Sequence, residues 1–151
     1  MVTIKKGDLL VDATEKVIAH QVNCKGVAGG LAAAIFEKWP DAENDYRQLT
    51  IRIPMGKVLL GMPQLTGQQK DGHVIANLYS QYLPGADYRP DAVRTALTCL
   101  GQIARQSGWS VALPYKLSCG ICGGDWDEVL GFIEEAMDGV DCVIYQRECD
   151  T

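Results

Sequence analysis

The chain has 151 residues, 47% of them apolar, and a formal net charge of −5. That length suits one domain, residues 1–151, with a single sizeable core, and the acidic balance lacks the basic footprint that gripping a nucleic-acid backbone requires. No apolar run is long enough to span a bilayer, and Met1-Val2-Thr3-Ile4-Lys5-Lys6 leads into charge instead of a signal-peptide core, so a cytoplasmic protein with neither membrane nor nucleic acid as primary partner is expected.

In chain order, Val2 to Lys6 and Val17 to Gln21 read as strands, with Gly7-Asp8-Leu9-Leu10 as a turn between them. Leu31 to Trp39 has helix-forming composition and is stopped by Pro40; Asp41 to Thr50 forms a second short helix. Val58 to Gly61 and His73 to Tyr79 read as strands around a polar turn containing Gly67, Asp71 and Gly72. From Asp91 to Ser107 apolar residues recur at Val93, Ala96, Leu97, Leu100, Ile103 and Ala104, the stripe of a helix lying on a sheet. Val111 to Pro114 is a short buried strand. Asp125 with Glu128 has the spacing of a capping box and opens a helix through Met137, with Val129, Phe132, Ile133 and Ala136 inward and Gly139 beyond its end. Cys142 to Tyr145 closes the pattern as a strand. Alternating strands and helices predict an α/β protein, a three-layer α/β/α sandwich around a central mixed sheet.

Two glycine-rich segments each join a strand to a helix: Cys24-Lys25-Gly26-Val27-Ala28-Gly29-Gly30 and Leu117-Ser118-Cys119-Gly120-Ile121-Cys122-Gly123-Gly124. Without a Cβ in the way, backbone N–H groups converge on an anion, so a pair of such loops points to a phosphate-bearing ligand; tight strand-to-helix connections use glycine as well. The first loop feeds a helix with no acidic residue before Glu37, which leaves its positive end to an anion. Asp125, Asp127 and Glu128 occupy that field in the second, so a phosphate there rests on the loop amides. The six cysteines, Cys24, Cys99, Cys119, Cys122, Cys142 and Cys149, are expected as reduced thiols. Cys119 and Cys122 form a CxxC open to three readings: a redox dithiol, half of a zinc site, or two small loop residues.

Gly7-Asp8-Leu9-Leu10, Ile18-Ala19-His20-Gln21-Val22-Asn23-Cys24-Lys25-Gly26-Val27, Asn77-Leu78, Pro114-Tyr115 and Cys119-Gly120-Ile121-Cys122-Gly123-Gly124-Asp125-Trp126 occur in an order that resembles the macrodomain family, its bacterial and phage members and the yeast ADP-ribose-1''-phosphate phosphatase above all. The resemblance implies a cleft for ADP-ribose at the strand ends. It implies that Asp8 accepts a hydrogen bond from the adenine amino group with the Leu9 backbone near the ring, and that Asn23 contacts the distal ribose. Gly26, Val27, Gly29, Gly30 and Leu31 would wrap that ribose and one phosphate. Ser118, Cys119, Gly120, Ile121, Cys122 and Gly123 would cradle the diphosphate, with Tyr145 at the far side of the cleft.

His20 matches a histidine of the yeast phosphatase, and an imidazole near neutrality can exchange protons with a phosphate ester. The resemblance therefore implies a phosphatase removing the terminal phosphate of ADP-ribose 1''-phosphate, with His20 as general acid or base, Asn23 beside it and Asp87 as a carboxylate partner. No cofactor or metal is called for. Two alternatives stand beside it: a non-catalytic ADP-ribose module, and a hydrolase freeing ADP-ribose from modified protein or nucleic acid. The lysine and aspartate used by family hydrolases are replaced here by Gln81 and Cys122, and the first glycine loop is one residue shorter than usual.

Overall fold

Strands and helices intermingle along the computed structural model, which describes residues 1–53 and 56–148, with strict alternation only from β4 onward. Ten elements follow one another: β1 (Val2–Lys6), β2 (Val17–Asn23), α1 (Gly30–Lys38), α2 (Pro40–Arg52), β3 (Pro63–Leu65), β4 (Val74–Gln81), α3 (Pro90–Ser107), β5 (Val111–Pro114), α4 (Trp126–Ala136) and β6 (Cys142–Gln146). The strands form one mixed sheet in the order β1-β6-β5-β2-β4-β3. Every pairing is parallel except that of β3 with β4.

Parallel strands covered on both faces are apolar on both faces, and β2 and β4 follow that rule. Val17 and Ala19 of β2, with Val74, Ala76 and Leu78 of β4, pack against Val93, Leu97 and Leu100 of α3 and Val129 and Ile133 of α4. The intervening residues Ile18, Val22, Ile75 and Tyr79 face Ile35 and Phe36 of α1 and Ala42 and Tyr46 of α2. The sheet is thus the middle of three layers. Each fully buried Leu, Ile or Val contributes about 1.5–3 kcal/mol, so both faces are needed to hold it.

Helix ends follow local chemistry. Trp39, extended at φ −125°, ψ 82° before Pro40, ends α1, and the proline takes the first position of α2. Gly108 adopts the left-handed conformation at φ 69° and closes α3, its N–H reaching Ala104 O and Arg105 O. At α4 the Asp125 carboxylate accepts from Asp127 N, but the Glu128 carboxylate accepts instead from the Tyr88 hydroxyl at 2.5 Å, so only half of the expected capping box forms.

The strand expected at Val58 to Gly61 is not one. Gly56–Leu59 is a turn of 3-10 helix, with Leu59 buried against the α1/α2 side and Val58 exposed, and the edge strand comes later at Pro63–Leu65. A short apolar run without alternation does not distinguish the two. Ile103 is only half-buried, whereas Ala92 and Gly101 join the buried face of α3. No helix of the described residues is long and apolar enough to cross a membrane.

Candidate ligand cleft at the strand ends

Because β1, β6, β5, β2 and β4 run parallel, their C-terminal ends meet along one edge, and chain from each lines a single cavity of about 740 Å³ there. Asp8 follows β1, Asn23 ends β2, Gln81 ends β4, Pro114 ends β5 and Arg147 follows β6. Such edges are where open α/β sheets take ligands, and the volume suits a drug-sized or nucleotide-sized molecule.

The first glycine loop is shaped by Asn23. Its Nδ2 donates to Val27 O at 2.7 Å, its Oδ1 accepts from Lys25 N at 2.9 Å, and the buried Tyr46 hydroxyl lies 2.8 Å from that same oxygen. Burial foremost pushes the Tyr46 phenol up to about 12, so it stays a neutral donor. The chain then enters α1 through Gly29 and Gly30, with no side-chain cap and no acidic residue in the first turn. The first amides of this helix have no helical acceptor and Gly29 to Ala32 line the cavity, the arrangement that favours an anion.

The second loop is partly tied within itself. Cys119 N donates to Lys116 O, Gly123 N to Gly120 O and Gly124 N to Ser118 O. Among the described residues the amides of Gly120, Ile121 and Cys122 have no hydrogen-bond partner, and all three residues line the cavity. Lys116 and Ser118 hold left-handed conformations at φ 58° and 63°, unusual for residues with side chains. Gly124 is needed for close approach, since a methyl group there would lie 2.5 Å from Ser118 O and 2.7 Å from the Tyr88 ring.

The floor between the loops is neutral: the Ser118 hydroxyl donates to Gln21 Oε1, the Ser80 hydroxyl donates to the same oxygen at 2.9 Å, and Gln21 Nε2 donates to Gln81 Oε1 at 3.3 Å. At the opposite end Asp8 Oδ1 accepts from Leu10 N at 2.8 Å and Leu9 is buried beside it. The Tyr145 ring forms wall, its hydroxyl donating to Glu15 at 2.7 Å.

No protein-family model matches the sequence, and a comparison with curated proteins finds no match. Solved structures do. The macrodomain of Mycobacterium tuberculosis DarG is 30% identical, with 96% of this chain and 97% of that one covered at a TM-score of 0.83. The macrodomain of Thermus aquaticus DarG is 26% identical over 97% and 98%, with a TM-score of 0.82. This chain belongs to the macrodomain family. Thermosipho africanus DarTG in complex with ADP-ribose shares the fold at a TM-score of 0.79 and 17% identity, covering 99% of this chain and 42% of that one.

In this macrodomain the cavity gathers Asp8, Leu9, Asn23, Val27, Gly29, Gly30, Leu31, Ser118, Gly120, Ile121, Cys122 and Tyr145 from the residues singled out in the sequence. It leaves Gly26, Cys119 and Gly123 off its lining. Gly26 turns the first loop at φ +75°, where a methyl group would come 3.0 Å from Thr50 Oγ1, and the Cys119 thiol lies 3.2 Å from Leu117 O.

Both expected acid–base groups lie off the cavity lining. His20 is fully buried on the α1/α2 side of β2, its Nε2 2.7 Å from Asn77 Oδ1 and its ring edge-on to Phe36. Burial, only partly offset by the Asn77 hydrogen bond, lowers its pKa to about 4, so the imidazole is neutral and has no contact with the cleft. Successive strand residues face opposite sides, which puts Gln21 on the cleft floor and His20 in the core. Asp87 lies outside the cleft as well. Its Oδ2 accepts from Tyr82 N, Leu83 N and Arg89 Nε at 2.8–3.0 Å, and these bonds outweigh burial and hold the carboxyl below its ordinary range. It is the clasp of its own loop.

The CxxC gains no metal partners: among the described residues no three His, Cys, Asp or Glu side chains gather into a ligand set. Burial raises both thiols, Cys119 to about 11, which disfavours the thiolate that redox chemistry requires. Cys24, Cys99, Cys119, Cys122 and Cys142 are free thiols, and Cys149 lies outside the described residues. Gln21 and Tyr46, which line the cavity, and Ser80, which donates to Gln21, are the polar side chains that sequence reasoning passed over. The signal for Gln21 was its place one residue along the strand from His20.

Proposed function

We propose that this macrodomain binds ADP-ribose, free or carried on a macromolecule, and acts as a recognition module. The observation that carries the reading is that unpartnered amides of the second glycine loop and the uncapped start of α1 line the same cavity, over a floor of neutral amides and hydroxyls. That chemistry suits a pyrophosphate and sugar hydroxyls. Asp8 at one end is suited to accept from the adenine amino group, and Tyr145 supplies an aromatic wall. Asn23 serves chiefly by holding the first loop, since its amide is already bonded on both sides. The Thermosipho africanus DarTG structure in complex with ADP-ribose, which shares the fold, supports the choice of ligand.

Phosphate removal from ADP-ribose 1''-phosphate, the activity implied by sequence resemblance, loses support because His20 and Asp87 are both engaged elsewhere. Calorimetry with ADP-ribose, its 1''-phosphate and ATP, paired with a phosphate-release assay, tests the reading. ADP-ribose is expected to bind at least roughly tenfold more tightly than ATP, a margin of about 1.4 kcal/mol, with no phosphate released. Phosphate release by the wild-type protein would overturn the binding-only reading, and its persistence in His20→Gln and Asp87→Asn proteins would show a catalyst elsewhere in the cleft.

A further inference from the structure

We infer that Gln21 is a positioning residue that sets the shape of the pyrophosphate-facing arc, an inference that rests on the ADP-ribose reading for its ligand but not for its geometry. A carboxamide offers two donors and two acceptor lone pairs, and here three of the four are used. Oε1 accepts from the hydroxyls of Ser80 and Ser118, and Nε2 donates to Gln81 Oε1.

The consequence lies in where those partners sit. Ser118 stands just ahead of Gly120, Ile121 and Cys122, so one side chain holds the entry to the arc whose amides are unpartnered. Ser118 is a left-handed residue with a side chain, a conformation that persists only when its surroundings hold it; its hydroxyl bond to Gln21 does so. Through Gln81, whose Nε2 donates to Gly85 O at 2.6 Å, the same carboxamide reaches the loop that closes the cleft on the β4 side. Gln21 itself comes from β2, the strand between β5 and β4, so it has a firm base from which to hold both. A hydrophobic residue would fill the space and lose all three hydrogen bonds.

The test uses Gln21→Met, Ser118→Ala and the double variant, each read in two ways. Without ligand, amide hydrogen exchange at Gly123 and Gly124, whose N–H groups bond inside the loop, is expected to speed up at least roughly fivefold in Gln21→Met and in Ser118→Ala. With ligand, Gln21→Met is expected to weaken ADP-ribose roughly tenfold while leaving adenosine, which carries no phosphate, unchanged. The double variant should be no weaker than Gln21→Met, because both substitutions remove one shared bond. Unchanged exchange in both single variants, additive losses, or an equal loss for adenosine each overturns the role given to Gln21. If the wild-type protein binds no ADP-ribose, the functional reading fails by itself, and the exchange rates of ligand-free protein still decide the part played by Gln21. Should Gln21→Met not fold, Ser118→Ala removes the same bond from the loop side and carries both readouts.

Discussion

His20 shows how much depends on which way one side chain faces. It pairs across the sheet with Asn77, whose Nδ2 donates to Ala42 O at 3.0 Å, so Asn77 Oδ1 accepts and the imidazole proton is assigned to Nε2. His20 Nδ1 is then a buried lone pair with no partner among the described residues, tolerable for a neutral ring and costly for a charged one. With a folded pKa of about 4 against 6.5 in the unfolded chain, the unfolded state takes up the proton first as pH falls. The contribution of neutral His20 is therefore complete above pH 6.5 and drains away toward pH 4, by roughly 3 kcal/mol in all at about 1.4 per pH unit. His20→Gln, whose amide donates to the same Asn77 oxygen without titrating, should flatten that slope. Urea unfolding of both proteins at pH 7, 5.5 and 4.5 compares them directly; parallel slopes would mean that the imidazole finds a proton partner in the core. ADP-ribose affinity is expected to survive the substitution.

Between elements, the tightest constraint is the crossing of α3 and α4. A methyl group on Gly101 would lie 2.0 Å from the carbonyl oxygen of Ala136, a backbone atom that moves only if α4 moves. Arg105, one turn along, donates to that oxygen at 2.8 Å and to Asp138 O at 2.9 Å, which fixes the end of α4 further. Helix propensity favours Gly101→Ala by about 1 kcal/mol, whereas forcing the helices apart costs about 1–3 kcal/mol, so the variant should melt lower despite the better helix former. A rise in melting temperature would show that the crossing has slack. Nothing in a single helix's own pattern reveals such a glycine, and this marks the general boundary of what was legible. The stripes of α3 and α4, the glycine loops and the layer architecture are local or periodic and could be read from the chain. The 3-10 turn at Gly56–Leu59, the edge strand Pro63–Leu65 and the Gln21 cluster depend on partners distant in sequence. The cleft was legible as two loops, and its neutral floor was not, because strand register decides that Gln21 faces it and His20 turns away.

At the scale of the molecule, the two helical layers share the sheet residue by residue: neighbours along β2 and β4 alternate between the two cores, so both layers depend on the same two strands. The cleft repeats this arrangement, one glycine loop leading into α1 on one face and the other into α4 on the opposite face. A ligand held by both loops therefore binds only when both layers are in place, and it stabilises the folded chain by mass action. At a free concentration about a hundred times its dissociation constant, ADP-ribose should contribute about 2.7 kcal/mol, which for a chain of this length is a rise of roughly 5–11 °C in a single unfolding transition. Differential scanning calorimetry across an ADP-ribose series measures it. Two transitions, of which the ligand moved only one, would show that one loop alone supplies the grip and that the layers come apart independently. A single transition that climbs with the logarithm of ligand concentration is the behaviour expected of a cleft built from both sides of one sheet.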